Sequence, residues 1–468
     1  MGFILFFSLE TWILLITFIC IFVMYGHWTF GIFEKMGIPG PKPVMYWGTI
    51  ARHNRVHFLD DYECAQKYER IWGVYEFRKP MLAVMDPDML KTILVKECFT
   101  YFTNRRNFRL NGDLYDAVSL AEDDQWRRIR NILSPSFTSG HLKEMFSIMK
   151  HHSRKLTDSL QSKAHNDEVI IVKDFFGPYS IDVMASCIFS VDFDSIKNPS
   201  NPFITHANQM FKFPLLLYIF QDLFGNQSSS QVWTNTQLNV SCPLLSSLTG
   251  LTEHEIISQV TMFVFAGYET SAIALVFLAY SLARNPEIMK RLQREIDSTF
   301  PNKGPVEYEA LMQMEYLDSV VSECLRLYPS IPRLERVAKE TVKISEITIP
   351  KGMLVMVPVY ALHRDPELWP EPEEFKPDRF SKENKQNINP YTYLPFGAGP
   401  RSCMGTRFAL MMVKLAMVEV LQNFSFSVCK ETEIPLEMDV AGFVSPVRPI
   451  KLKLKMRSIS SANVDPCN

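Results

Sequence analysis

The stretch Phe396-Gly397-Ala398-Gly399-Pro400-Arg401-Ser402-Cys403-Met404-Gly405 decides how this chain is read. Two glycines and a proline ahead of the sulfur suit a tight, bulged loop whose backbone comes close to something flat. The nearly unbroken apolar run at 406–424 that follows predicts a buried helix. Cys403 therefore stands at or just before a helix N-terminus, where backbone N–H groups and the positive end of the helix dipole favour a thiolate. A thiolate held this way is a good axial ligand for haem iron and pushes electron density that favours O–O cleavage. Arg401, two residues earlier, is placed to reach a haem propionate. A lone cysteine is more often a buried structural residue. The ligand reading rests on the whole pattern Phe-x-x-Gly-x-Arg-x-Cys-x-Gly being complete.

The rest of the composition is permissive. A chain of 468 residues, 47% of them hydrophobic, can bury one large core or two, which excludes wholesale disorder. With a net charge of −2, nothing in the composition suggests nucleic acid as a partner. The nine cysteines are scattered, with no Cys-x-x-Cys, and no His-Glu-x-x-His occurs, so a disulfide framework and a zinc site gain little support.

At the N-terminus, positions 11–33 hold no Asp, Glu, Lys or Arg, and Trp12 and Trp28 lie near either end. That is long enough to span a bilayer. A cleaved signal peptide would want a basic leading region and a small-residue cleavage site, and neither is present. Lys35, Lys42, Arg52 and Arg55 follow the span and no cation precedes it, so the N-terminus is expected to be lumenal and the remainder cytoplasmic. Ile38-Pro39-Gly40-Pro41-Lys42-Pro43 then predicts a stiff connector that stands the rest of the chain off the membrane.

Downstream, helices are expected at 122–130, 175–190, 203–218, 252–284 and 317–327, with strand-like runs at 71–76, 81–85, 341–349, 353–359 and 451–455. Trp126 and Arg130 are four apart and share a helix face, so an indole and a guanidinium could grip one carboxylate; a surface helix with a packed Trp is the other reading. Thr252-Glu253-His254-Glu255 is a capping box that opens the long apolar helix. Inside that helix sits Ala266-Gly267-Tyr268-Glu269-Thr270. A Gly beside a polar pair is costly in a buried helix, which points either to a tolerated kink or to a local opening that holds water and relays protons. Glu323 and Arg326 are three apart on one face, and Pro377-Asp378-Arg379-Phe380 follows later. Between 213 and 250 the texture changes to Ser, Thr, Asn and Gln, and reads as loop.

Four separated motifs stand in one order: Glu269-Thr270, Glu323-x-x-Arg326, Pro377-x-Arg379-Phe380 and the Cys403 loop. In that order they resemble the cytochromes P-450, closest to the microsomal drug- and steroid-oxidising family three, subfamily A. The resemblance covers nearly the whole chain. It implies a mainly α fold with small β-sheets and one N-terminal transmembrane helix. The expected division is an anchor at 1–33, a proline-rich hinge at 34–45 and a haem-thiolate catalytic domain at 46–468, atypical at 213–250. It also implies haem b as cofactor, with Cys403 as iron ligand. Arg105, Trp126, Arg130, Arg336, Phe396 and Arg401 would hold the haem, and Glu269 and Thr270 would deliver protons to bound dioxygen. Glu323, Arg326 and Arg379 would brace the cysteine loop. Phe108, Ser119, Leu120, Phe213, Phe265, Ala266, Ile331 and Phe443 would line an apolar substrate pocket for lipophilic steroids and xenobiotics. Electrons would come from NADPH through a flavoprotein reductase, the NADPH-cytochrome P-450 reductase, with cytochrome b5 as a second donor, at the endoplasmic reticulum membrane. One departure stands out. The subfamily has several charged helices over the site, and this chain is shorter there by roughly forty residues, judged by that resemblance. A haem binder without turnover is thus the alternative to a monooxygenase. A peroxide isomerase needs no proton delivery, and the intact Glu269-Thr270 pair argues against it.

Overall fold

The computed structural model describes residues 8–49, 57–107, 114–198, 201, 250–439 and 442–457. The helix expected at 203–218 and the segment 213–249 lie outside these residues, as do Phe108 and Phe213.

The first helix, α1 (Leu9–His27), is apolar all round and almost wholly exposed, and is long enough to cross a membrane. After it come α2 (His57–Tyr68), α3 (Asp123–Leu133), α4 (Ser139–His165) and α5 (Lys173–Phe189). The central helix α6 (Glu253–Arg284) opens on the expected capping box, Thr252 with Glu255. It too is long and apolar enough to cross a membrane, but it is largely buried and forms the spine of the core. The last helices of interest are α7 (Pro286–Thr299), α8 (Glu315–Leu327) and α9 (Thr406–Asn423).

Apolar pattern explains the layering. α5, α6 and α9 are apolar on nearly every face, and such helices must be covered on all sides. α5 lies directly on α6, with the Met184 side chain filling the space over Gly267; a Cβ there would come within 2.3 Å of the Met184 sulfur. α9 packs against α4, and Tyr179 of α5 donates to the carbonyl of Met412 at 3.0 Å.

The strands are few. β1 (Ile71–Glu76) and β2 (Lys79–Val84) form an antiparallel hairpin. β3 (Val169–Ile171) joins β9 (Lys451–Met456), which pairs with β8 (Phe424–Ser427). β4 (Leu334–Val337) lies beside β7 (Leu354–Val357), with Arg336 opposite Val355, and β7 runs parallel to β2. β5 (Val342–Ile344) and β6 (Ile347–Ile349) make a small separate hairpin. A second apolar core gathers on the β1–β2–β7–β4 sheet.

That second core reaches the proline segment. Phe33 and Ile38 are buried in it, and the Gly73 N–H of β1 donates to the Pro39 carbonyl at 2.9 Å. Gly40 lies so close to Gly73 that a Cβ would sit 2.1 Å from its oxygen. The prolines exclude helix, and the extended segment is pinned along the sheet. Phe33 and Ile38, which precede the prolines, are stabilised by entering that core.

Candidate active site

The cysteine loop is built by close backbone approach. Gly397 and Gly399 take φ of 73° and 70°, a region that L side chains disfavour. A Cβ on Gly399 would come within 1.9 Å of the Leu94 carbonyl oxygen, so the loop lies against the π-type turn Thr92–Lys96 with nothing between. The Cys403 N–H donates to the Phe396 carbonyl at 2.9 Å, closing the loop on itself. α9 begins at Thr406, three residues past the sulfur, and the Thr406 hydroxyl donates to the Cys403 carbonyl at 3.0 Å. Cys403 is exposed while its flanks are fastened.

Four guanidinium groups converge on this loop. Arg105 donates to the Arg401 carbonyl at 2.9 Å, and Arg130 to the Ser402 carbonyl at 2.8 Å. Arg336, in β4, is 2% exposed, and its Nε is buried with no hydrogen-bond partner. Arg401 donates to the carbonyls of Thr103, Val118 and Ala121 at 2.8, 3.2 and 2.7 Å, and its guanidinium stacks 4.0 Å over the Trp126 ring. Three of its five N–H donors thus latch the 103–121 region to the cysteine loop, a role that sequence reading did not assign it. Trp126 and Arg130 do share the face of α3 turned to that loop.

Among the described residues, none of the four forms an ion pair with a carboxylate. The physical consequence is a crowded positive site. Burial, then repulsion from Arg105 and Arg336, pulls the Arg401 pKa down to about 8. Burial, then Arg105, pulls Arg336 down to about 9. Burial lowers Arg105 and Arg130 too, with Cys403 opposing in both cases. Buried like charges with an orphaned N–H are costly unless an anion joins them. A dianionic planar ligand with one axial sulfur donor fits the orphaned Arg336 nitrogen, the close-packed glycines and the exposed Cys403 together.

On α6, the Thr270 hydroxyl donates to the Ala266 carbonyl at 2.5 Å. Ser180 of α5 donates to the carbonyls of Gly267 and Tyr268, at 3.2 and 2.8 Å, and Ser330 to that of Thr270 at 3.2 Å. Four carbonyls of one stretch therefore accept side-chain hydroxyls. The helix runs unbroken through this stretch, so the expected local opening is replaced by hydroxyls on the carbonyl side. Glu269 is 7% exposed and ion-paired with Lys173, the first residue of α5. Lys173, Ser180 and Ser330 escaped sequence reading because each is an ordinary residue whose partner lies at least 60 positions away.

Glu323 and Arg326 are fully buried and bidentate, with Nε and Nη2 donating at 2.7 and 2.8 Å. Arg379 adds a third charge at 3.3 Å from Glu323. Arg326 also donates to the carbonyls of His363, Pro372 and Glu374. His363 Nδ1 lies 3.1 Å from the Arg326 carbonyl, and its Nε2 accepts from the Leu394 N–H at 2.8 Å. Leu394 is two residues before Phe396, so the chain of bonds ends on the cysteine loop. Burial drives the His363 pKa down to about 3, and this tautomer needs it neutral.

Of the apolar pocket candidates, the Phe265 and Phe443 rings meet at 6.1 Å, and the Ser119 hydroxyl lies 3.0 Å from the Met262 sulfur. Leu120 is half-buried; Ala266 and Ile331 are exposed. Elsewhere His152, Asp182 and Asp192 lie close enough to suggest a metal site. Lys155 already supplies the cation there, 2.6 Å from Asp192, and Ser195 occupies Asp182.

The cytochrome P450 family pattern matches this chain at residues 38–237 and 226–454. The chain belongs to the cytochrome P450 family. The two matched stretches overlap at 226–237, inside the Ser/Asn-rich segment. Among its relatives, Cytochrome P450 3A40 of Oryzias latipes is 54% identical over 504 positions, covering 99% of this chain and 100% of that protein. Cytochrome P450 3A27 of Oncorhynchus mykiss is 53% identical, covering 99% and 98%. Cytochrome P450 3A29 of Sus scrofa is 47% identical, covering 96% and 97%. An alignment of 504 positions against a chain of 468 residues means that the relative carries residues with no counterpart here. As a P450 the protein is a monooxygenase and its cofactor is haem b.

Proposed function

We propose that this P450 oxidises lipophilic substrates such as steroids and xenobiotics, with electrons passed from NADPH by the membrane-bound cytochrome P-450 reductase and, as a second donor, cytochrome b5. The observation that carries the reading is the group of buried Arg336 and Arg401 and half-buried Arg105 and Arg130, without an ion-paired carboxylate among the described residues, around an exposed Cys403. When bound, the haem supplies dioxygen activation and the oxygen-insertion chemistry. The chain's own parts do the rest. Cys403 ligates the iron as thiolate. Arg105, Arg130, Arg336 and Arg401, with Trp126, hold the propionate edge, and Phe396 packs the loop. Thr270 would hold a proton at its hydroxyl, and Glu269, kept in place by Lys173, would resupply it. Glu323, Arg326 and Arg379 fix the loop. Phe108, Ser119, Leu120, Phe213, Phe265, Ala266, Ile331 and Phe443 line the substrate side, whose few polar groups select by area more than by specific hydrogen bonds. α1 anchors the enzyme in the endoplasmic reticulum membrane with the catalytic domain cytoplasmic.

The carbon monoxide difference spectrum of the reduced protein tests the ligand: Cys403→Ser abolishes the thiolate band. Supplying reductase and NADPH with a steroid probe tests turnover, and Thr270→Ala keeps the band but uncouples oxygen use from product. Coupling unchanged in Thr270→Ala removes the proton assignment. A haem-binding protein without turnover is the second reading, favoured by the residues that the relatives carry and this chain lacks. A normal band with no product identifies it.

A further inference from the structure

The group His152, Asp182 and Asp192 shares no residue with the cysteine loop or the Glu269-Thr270 pair, and the pairing of Asp192 with Lys155 does not account for all of it. His152 projects from the middle of α4 and Asp182 from α5, and Asp192 follows the end of α5 by three residues. A ring nitrogen of His152 and one carboxylate oxygen from each aspartate lie within 4.8 Å of one another. His152 and Asp182 are each 2% exposed, and the Asp192 side chain is 41% exposed, so the group is reached from solvent on one side.

The tautomer of His152 follows from its neighbours. The Ser186 hydroxyl donates its one hydrogen to the Val191 carbonyl at 2.9 Å. Its oxygen can then only accept from His152 Nε2, 2.8 Å away, so Nε2 carries the ring hydrogen. Nδ1 is buried and, among the described residues, has no partner. A second hydrogen there would make a buried imidazolium with an unmatched N–H, which is costly. Nδ1 is therefore a bare lone pair on a ring whose other nitrogen is fixed by a hydrogen bond. Metal-binding histidines are held in this way.

The acids beside it have acceptor capacity left. Asp182 accepts from the Ser195 N–H at 2.9 Å and from the Ser195 hydroxyl. Asp192 accepts from the Asp194 N–H at 3.1 Å and pairs with Lys155 at 2.6 Å. Each carboxylate offers about four acceptor sites. Lys155 also reaches Asp194 at 3.6 Å, so it has a second carboxylate to move to. At the rim, His151 Nε2 lies 3.4 Å from Asp192. Imidazole mixed with carboxylate suits zinc-class ions, whereas calcium and magnesium prefer oxygen alone. Zinc holds these ligands at about 2.0–2.2 Å, which puts them about 3.4 Å apart in a tetrahedron, so closure takes side-chain shifts of about 1 Å.

We propose that His152 Nδ1, Asp182 and Asp192 bind one zinc-class divalent ion, with His151 as the fourth donor and Lys155 displaced to Asp194. The ion ties α4, α5 and the stretch after α5 together, directly ahead of the Ser/Asn-rich segment in sequence.

The test is equilibrium dialysis of the full-length holoprotein, stripped with EDTA, against buffered zinc chloride. Elemental analysis counts zinc against haem iron, and the carbon monoxide band reports folding. The proposal expects one zinc per haem, bound roughly ten-fold or more weakly in His152→Gln and in Asp192→Asn. Lys155→Met, which removes the competing cation, should bind several-fold more tightly. His254→Gln breaks another histidine–aspartate pair, with Asp116, and should leave the affinity unchanged. Asp192→Asn alters a side chain at the surface and decides the matter if His152→Gln loses the band. Equal zinc uptake by the parent protein and Asp192→Asn overturns the proposal, as does loss of uptake in His254→Gln.

Discussion

Single residues in this protein are constrained by what surrounds them more than by their own chemistry. Gly399→Ala puts a methyl group into the Leu94 carbonyl and forces a positive φ, so it should lose haem and cost about 3 kcal/mol or more. Thermal unfolding with a haem-content assay measures both. Arg336 gives a two-signed expectation. Its charge is buried among other cations, so Arg336→Met should raise the melting temperature of the apoprotein while speeding haem loss from the holoprotein. A fall in both would mean that Arg336 is an ordinary structural cation. Lys173→Met should lower the coupled fraction of oxygen use with haem content unchanged, and Lys173→Arg should restore it. Cys403 was legible from sequence because a complete ten-residue pattern surrounds it, and the Glu269-Thr270 pair because it stands in order with that pattern in the resemblance. Lys173, Ser180 and Ser330 were not, because a common residue acquires meaning only from a distant partner.

Elements show the same division. The Glu323–Arg326 pair has no exposure at all, and removing one member leaves a charge buried alone. Glu323→Ala should cost about 3–5 kcal/mol and yield protein without haem. The bond path through His363 adds a pH dependence. Its folded pKa, about 3, lies below the ordinary histidine value, so the unfolded chain takes up the proton first as pH falls. Stability is complete above about pH 6.5 and declines below it by up to about 1.4 kcal/mol per pH unit until the folded pKa is passed. His152, held near 4 by burial, adds to the same slope. Denaturant titrations from pH 7 to 5 check this, and His363→Gln should flatten the slope. Element boundaries came close to expectation where apolar period was strong, as at 252–284 and 406–424. α6 runs as helix through 266–270, where hydroxyls from α5 and from the segment after α8 meet its carbonyls.

For the molecule as a whole, the order of four motifs determined the family, the cofactor and the mainly α architecture from sequence alone. It could do so because a thiolate ligand, an acid–alcohol pair and a buried Glu–Arg pair each demand particular residue types at fixed local spacing. What tertiary structure decided is which ordinary residues those motifs meet. The four arginines come from positions 105, 130, 336 and 401, and no local spacing announces that they converge. The proline segment likewise reads only as a stiff connector, and folding decides that Phe33 and Ile38 beside it enter a core and that Tyr46 and Arg78 meet the first helix. Local chemistry is written in spacing, whereas packing and long-range charge are sums over residues far apart in the chain, and only folding brings their terms together.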